Sequence, residues 1–593
     1  MIDNMNEIVA FSPFGGQLIR EEVKGKQFNA NVPENTIALK DGEDRDMYVY
    51  VPASGCPDAK QAQVVMFLRE DAGEGSARQA LEEYNLARLA EEKHFVLVFP
   101  NPRPEGWNYD ASPKKPDDVS YFSRCFMSLA KGQGKVGGFL GMIFYLAATP
   151  EASAMAMTVS AMDPVHAAGV QVAGFPAGYT VPAAGCQAPQ VAWVCGENPV
   201  AAQYLAAVNG PCTQMAAADA IAYTSQKNPA VRYVLSPAAF SARTVRTAWE
   251  QLFSETRRWA NDTHGTYQLR TNFTERGFVA HVKDASLGVN NGFAHTWYEY
   301  VPPKLRGSTK KVPLLFYFHG VWCVPLYGAE QSCWHDIADK EDFIVVYPAP
   351  SLNKAWNVWD ESSQPSDFAF VMSLIDHMKK LYPIDEQRIY ISGFSMGGMM
   401  TNALASAFPH VFAAAAPCNG YHTGYMTSAG EMWGKLKKMS PAYKAPTTIV
   451  DQLPHTRMYA DYHKNAYDYR LPIIQNTGLL DGQWPIDPAR DGQFSRLATF
   501  DHWKKYNNIP VKQYVPSDKY ESGLEGDENG YLGDDGRFQY HAWHSDDAVR
   551  TMLYELVLAK RMPHAVDLRQ LELAWAFLKK FSRQKDGSLK ISE

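Results

Sequence analysis

A serine hydroxyl attacks a carbonyl only when a neighbouring base takes its proton and fixed donors hold the developing oxyanion. Residues 389–399 read IYISGFSMGGM and place Ser395 inside Gly393-Phe394-Ser395-Met396-Gly397. A β-branched run precedes this pentapeptide, and GMMTNALASAF, which suits a helix, follows it. Strand, G-x-S-x-G and helix together predict a nucleophile elbow. The small residues leave room for a sharp turn, and the helix N-terminus offers positive potential to an oxyanion. Outside that context the pentapeptide is weak, because glycine and serine are common, and the bland alternative is an ordinary turn.

The remaining chemistry has candidates in the order Ser–Asp–His. The end of FYFHGVWC, a loop after an earlier strand, supplies backbone donors at Val321 or Trp322, to act with Met396 as the oxyanion hole; His319-Gly320 organises that loop. The acid is expected in LPIIQNTGLLDGQW, where a strand ends at a turn holding Asp481, with Asp487 and Asp491 as competitors. Turns favour aspartate for reasons of their own, so the position in the order carries the assignment. The base is expected after the last strand and before the final helix, which selects His564 in RMPHAV over His541 and His544 in FQYHAWHSDD. Asp481 would orient the imidazole, and His564 would take the Ser395 proton and return it to the leaving group. Trp322, Trp356 and Trp359 are candidates for the acyl side of a pocket, with core packing as the alternative for each.

These residues must be positioned by strands and helices, and the chain supplies two sets. DMYVYVPASG, QVVMFLRED and FVLVFPNPRPEGWNYD in the first half match HTWYEYVPPKL, VPLLFYFHG and FIVVYPAPSLNKAWNVWD in the second. The ends match as well. Residues 234–253 align with 560–579 on Trp249 and Trp575 without a gap, which puts Pro237 on Pro563. Leu568, Leu571, Trp575 and Leu578 recur at helical spacing. Short apolar strands alternating with helical stretches indicate mainly parallel sheets flanked by helices, an α/β class with tandem domains of the α/β-hydrolase type. The expected organisation is an N-terminal strand extension over 1–40 and a first domain over 41–262. A linker and entry strands over 263–290 lead into a second, catalytic domain over 291–593. Cap-like insertions are expected near 421–470 and 513–545.

The same register predicts that the first domain is a catalytically dead copy. KVGGFLGMIFYLAA, residues 135–148, falls against the elbow and its helix, so Phe139 takes the nucleophile position. Pro199 falls on Asp481, Ala238 on His564, and Arg69-Glu70 on His319-Gly320. None of these can perform the corresponding step.

Composition bounds the rest. A chain of 593 residues exceeds one ordinary domain, and 46% apolar residues suffice for real cores. With 20% charged residues and a formal net charge of -7 it lacks the basic face of a nucleic-acid binder. No run approaches the length of a membrane span. The start, MIDNMNEIVAFSPFGG, has neither the basic nor the apolar region of a signal peptide, which points to the cytoplasm; a leader removed ahead of it would point outside the cell. Eight cysteines fit a reducing compartment, although Cys323 and Cys333 are close enough in sequence to bridge. No compact set of metal ligands stands out, so neither metal nor cofactor is expected.

On FYFHG, AWNVWD, YISGFSMGGMM, AAAAPCNG, the GLLDGQWP acid turn and RMPHAV, the C-terminal half resembles the polyhydroxybutyrate-depolymerase-like and feruloyl-esterase-like α/β hydrolases. The resemblance spans roughly 291–593 and is distant in the N-terminal half. It implies a metal-free serine esterase. The implied substrates are hydroxyalkanoate polyesters, feruloyl or acetyl esters on plant polysaccharides, or small synthetic esters. The chain departs from that pattern in lacking a visible signal peptide and in its two long insertions. The second insertion carries Glu521, Glu525, Asp527, Glu528, Asp534 and Asp535 and reads best as a solvated hairpin tip. The leading expectation is hydrolysis of carboxylic esters, small or polymeric, through an acyl-enzyme. The alternatives are a serine peptidase of the same fold, for which no amine-binding carboxylate pair can be assigned, and a non-catalytic binding protein.

Overall fold

The protein is described by a computed structural model covering residues 8–26, 42–54, 63–109, 118–130, 144–182, 188–217, 219–351, 355–358, 365–421, 469–482, 484–488, 496–533 and 535–592. The chain divides into two compact units, Met1–Thr271 and Asn272–Glu593. Most of the 421–470 segment, and with it any cap, lies outside the described residues.

In the first unit, eight strands form the central part of one sheet: β1 (Gln17–Val23), β2 (Arg45–Val51), β3 (Val64–Leu68), β4 (Val96–Pro100), β5 (Phe144–Ala148), β6 (Ala167–Val172), β7 (Ala192–Cys195) and β8 (Arg232–Ser236). Their spatial order is β1-β2-β4-β3-β5-β6-β7-β8. In the second unit the corresponding strands are β9 (Val279–Asp284), β10 (His295–Tyr300), β11 (Val312–Phe318), β12 (Ile344–Pro348), β13 (Ile384–Phe394), β14 (Ala414–Cys418), β15 (Ile473–Gly478) and β16 (Met552–Ala559). Their order, β9-β10-β12-β11-β13-β14-β15-β16, is the same. In both sheets the first two pairings are antiparallel and the remainder parallel. The units are thus tandem α/β-hydrolase-like domains.

The central strands are buried on both faces, which is why they read as continuous apolar runs such as VPLLFYF and VVMFL. Helices cover them. In the second unit, Leu568–Leu578 lays Leu571, Ala574, Trp575 and Leu578 onto the sheet, and the Trp575 ring stacks on Phe343 at 3.9 Å between centroids. Ala242–Gln251 is its counterpart in the first unit, with Trp249 against Phe95 at 4.4 Å. Ser241 and Asp567 cap these helices at matching positions.

Three expectations need correction. Residues 513–545 are not wholly a cap-like insertion. Glu528–Leu532 and Phe538–His544 form an antiparallel hairpin that extends the sheet beyond β16. Cys212–Ala217 and Ala220–Ser225 do the same beyond β8, so the hairpin belongs to the shared plan. The stretch 263–290 holds an entry strand of the second unit, β9 at Val279–Asp284, but Thr266–Leu269, expected as linker, is a strand of the first unit.

The third correction concerns residues 135–148. Phe139 lies outside the described residues, and the strand that matches β13 is Phe144–Ala148. Leu68 pairs with Ala148 as Phe318 pairs with Gly393. Two residues on from Ala148 is Pro150, but the N-cap of the following helix, Ser153–Met162, is Ala152, as Ser395 is of Met396–Ala407; the turn after β5 is two residues longer than the elbow and carries Pro150 and Ala152 in its place. The Gly-Gly-Phe-Leu-Gly tract imitates the composition of an elbow but precedes its strand, whereas an elbow follows one.

Candidate active site

Strand β13 runs to Phe394, and the next helix, Met396–Ala407, begins after a single residue. That residue is Ser395, at φ 57° and ψ -120°. An L-residue avoids positive φ because its Cβ crowds the backbone, so the turn holds strain. Packing enforces it: a Cβ on Gly397 would lie 1.9 Å from the Phe318 carbonyl oxygen, so only glycine lets the helix approach the end of β11. The Ser395 N–H donates to Cys418 O at 2.9 Å, which ties the elbow to β14. Met396 opens the helix, where the first N–H groups have no acceptor within the helix itself.

On the C-terminal side, Gly478 ends β15 and Asp481 N–H donates back to Gly478 O at 3.0 Å, forming the acid turn. Leu480 N–H donates to Met562 O at 2.9 Å and locks that turn to the loop after β16. His564 lies in this loop, and its Nδ1 donates to Asp481 Oδ2 at 2.9 Å. The His564 ring packs on Phe394, the residue before Ser395, at 4.7 Å between centroids. Burial disfavours the imidazolium, but the charge of Asp481 and its hydrogen bond outweigh that effect and hold the His564 pKa above the ordinary imidazole value. The imidazole side chain is 40% exposed and Asp481 16%, so the pair opens to a substrate on one side. Among the described residues, no hydrogen bond joins Ser395 Oγ to His564; such contacts commonly close only when substrate arrives.

The loop after β11 reaches the same place. A Cβ on Gly320 would lie 3.3 Å from Ser395 Cβ, so the chain passes directly over the serine. His319 is buried, and its Nδ1 donates to Gly320 O at 2.8 Å, the loop-organising part expected of it. Trp322 is held at φ 66°. Trp356 Nε1 donates to His319 O at 2.7 Å. Behind it, Asp367 accepts from Asn357 N–H at 2.7 Å and from Ser351 N–H at 2.9 Å, which fixes the loop that carries Trp356.

The Esterase PHB depolymerase family profile matches residues 296–463. Feruloyl esterase B of Neurospora crassa is 31% identical over 282 residues, covering 44% of this chain and 87% of that protein. The chain belongs to this family of α/β-hydrolase esterases. The bifunctional acetylxylan esterase/xylanase of Neocallimastix patriciarum is 40% identical over 121 residues, 20% of this chain and 17% of that protein. Poly(3-hydroxyalkanoate) depolymerase C of Paucimonas lemoignei is 31% identical over 177 residues, 28% of this chain and 40% of that protein. The chain thus spans less than half the length of these last two relatives. In an esterase family of this fold, general hydrolysis of carboxylic esters is the shared chemistry.

The structure brings together Ser395, Met396, Gly320, His564 and Asp481, and it separates the competitors. His541 is buried on the edge hairpin, bonded to Ser522 Oγ at 2.9 Å and Asn529 Oδ1 at 2.7 Å, and burial lowers its pKa to about 4. His544 pairs with Asp527 and Glu528. Asp491 and Trp359 lie outside the described residues. Trp356 corrects an expectation: it is fully buried, its ring meeting Phe318 at 5.2 Å, so it braces the loop and lines no pocket. Cys323 and Cys333 are buried free thiols and form no bridge. Among the described residues, no helix is long and apolar enough to cross a membrane.

Sequence reasoning missed Asn419. Its side chain accepts from Gly478 N–H at 3.0 Å and donates to Ala565 O, so one amide spans the acid strand and the base loop. The signal was its place in AAAAPCNG, at the end of β14.

Proposed function

We propose that the second unit is a serine esterase in which Ser395 attacks the ester carbonyl, His564 takes its proton and Asp481 orients the imidazole. The oxyanion is held by Met396 N–H and a backbone N–H of Val321 or Trp322. The acyl-enzyme is then hydrolysed by water that His564 activates. One observation carries this reading: the His564–Asp481 pair lies against Phe394, next to a serine held at φ 57° at the mouth of a helix. The similar proteins have names that span hydroxyalkanoate, feruloyl and acetylxylan esters. The substrate class proposed here is a carboxylic ester with a hydroxyacyl, aromatic or acetyl group.

The first unit is proposed to be its catalytically dead copy. The turn after β5 carries Pro150, and Ala152 as helix N-cap, in the place of the elbow serine, and Pro199 opens a helix where the second unit has its acid turn. Ala238 stands in the loop of the base. The test is a panel of hydroxybutyrate, feruloyl, acetyl and p-nitrophenyl esters beside peptide anilides, with fluorophosphonate labelling of the same preparation. Ester turnover with one adduct per chain, on Ser395, is expected. A second adduct in the first unit, or cleavage of anilides alone, overturns the reading.

A further inference from the structure

Away from the elbow, three side chains from separate segments converge at the β9–β10 edge of the second sheet. His281 lies on β9, Glu299 on β10 and His377 on the helix Asp367–Leu381. Their ligand atoms all lie within 4.8 Å of one another. His281 Nε2 is 3.2 Å and His377 Nε2 3.5 Å from the same carboxylate oxygen, Glu299 Oε1. Neither approach makes a hydrogen bond: both nitrogens are shielded from solvent and have no hydrogen-bond partner. Two imidazoles aimed past one oxygen at contact distance are poorly satisfied unless something lies between them.

We infer that His281, Glu299 and His377 bind a divalent transition-metal cation of the zinc class. Two ligands at about 2.1 Å from zinc across a tetrahedral angle stand about 3.4 Å apart, and both separations found here match that edge. Two imidazole nitrogens with one carboxylate oxygen suit zinc better than calcium or magnesium, which take oxygen ligands. The surroundings orient the donors. His281 Nδ1 is held by Asp284 Oδ2 at 3.2 Å, which leaves the Nε2 lone pair for a cation. A β-bulge between His281 and Asp284, with Lys283 at φ 51°, brings that carboxylate round to the ring. Trp297 stacks on the His281 ring at 4.2 Å between centroids. Trp297 Nε1 donates to Glu299 Oε1 at 3.0 Å, and Tyr382 OH donates to Oε2 at 2.8 Å. The two imidazole side chains are 20% and 21% exposed, so a fourth ligand would have to reach the cation past them.

The first unit shows that the fold alone does not require this set. Glu21 pairs with Met47 as His281 pairs with Trp297. The positions of His281, Glu299 and His377 are there held by Glu21, Val49 and Ser128. The cation would fasten β9 and β10 to the helix whose first residue, Asp367, braces the loop of Trp356. It touches no reacting atom, so its role is to hold the scaffold.

The test uses the full chain, stripped with a chelator and titrated with zinc(II), with bound metal counted by mass spectrometry. About one zinc per chain is expected, with a rise in Tm of about 5 °C or more at saturating zinc. His281→Gln and His377→Gln each keep a polar side chain of similar reach at a half-exposed site. Each is expected to weaken zinc binding at least about 100-fold and to lose the Tm response, while ester turnover stays within about twofold of wild type. Cobalt(II) in the wild-type site should give the strong visible absorption of a four-coordinate centre. Substoichiometric zinc in the stripped wild type, or unchanged binding in both variants, overturns the inference.

Discussion

The two units share a strand order and even the hydrogen bonds that set up an active site, yet they differ at nearly every position where chemistry would occur. Trp107 Nε1 donates to Arg69 O at 2.8 Å, as Trp356 does to His319 O at 2.7 Å. Asn108 N–H donates to Asp118 at 2.8 Å, as Asn357 does to Asp367 at 2.7 Å. These contacts join the first loop to the rest of the domain, and folding needs them whether or not a substrate ever arrives. Where the second unit has His319 in the loop that passes over its serine, the first unit has a buried cation. The Arg69 guanidinium bonds Pro100 O at 2.9 Å, Asn101 Oδ1 at 2.8 Å and Ser76 Oγ at 2.8 Å. Burial lowers the Arg69 pKa to about 10, so it remains charged at neutral pH. The difference separates what holds such a domain together from what makes it react.

The comparison breaks most visibly at the nucleophile. Ser395→Ala should lower turnover by about 10⁵-fold or more with folding intact, measured as kcat on the best ester together with circular dichroism. Residual turnover near wild type would move the activity elsewhere, including to the first unit. Next in size, His564→Ala and Asp481→Asn should each lower kcat by about 10³-fold to 10⁴-fold, the second by leaving the imidazole misoriented.

The pH profile sharpens the assignment. The base must be neutral, and the Asp481 charge favours the imidazolium. Activity should therefore rise with pH through a midpoint above about 6.5, and Asp481→Asn should move that midpoint down. A midpoint below about 6 in wild type would separate the pair from catalysis.

The smallest effects test the shared brace. Asp118 also pairs with Arg45 at 2.5 Å, so Asp118→Ala strands a nearly buried charge and should cost about 3–5 kcal/mol in denaturant unfolding. Asp367→Ala should cost about 1–3 kcal/mol. Only the latter should also lower kcat/KM, because only its loop holds, through Trp356 and His319 O, the chain that passes over the proposed nucleophile.

Much of the site was legible because its parts are local. A strand, a serine between glycines and a helix are neighbours in the chain, and the order of Asp481 and His564 follows from where strands end. The fold was legible for a related reason: parallel strands buried on both faces leave unbroken apolar runs. What escaped reading depended on packing between distant segments. Trp356 looked like a pocket aromatic, and only the position of His319 O makes it a buried brace. The register of the first unit slipped because residues 137–141 imitate an elbow in composition, while pairing of Leu68 with Ala148 places the true turn nine residues beyond Gly141. His281, Glu299 and His377 come from three elements, and the bulge that aims Asp284 at His281 leaves no pattern in the sequence.

On the proposal that the first unit is a dead copy, the turn after β5 limits how its chemistry could be restored. The nucleophile position demands φ near 57°, as Ser395 has, whereas a proline ring fixes φ near about -65°. Pro150 is absent from the left-handed residues of the described chain, so the turn after β5 has settled into an unstrained shape. This turn also lacks the elbow's glycines: Ala148 pairs in the strand as Gly393 does, and Ala152 caps the helix. Restoring a serine would put a hydroxyl on a backbone that points it the wrong way. Each later substitution adds another change that would have to be reversed at the same time. Under that proposal a single substitution would not restore a nucleophile to the first unit, because the backbone of its turn would have to change as well.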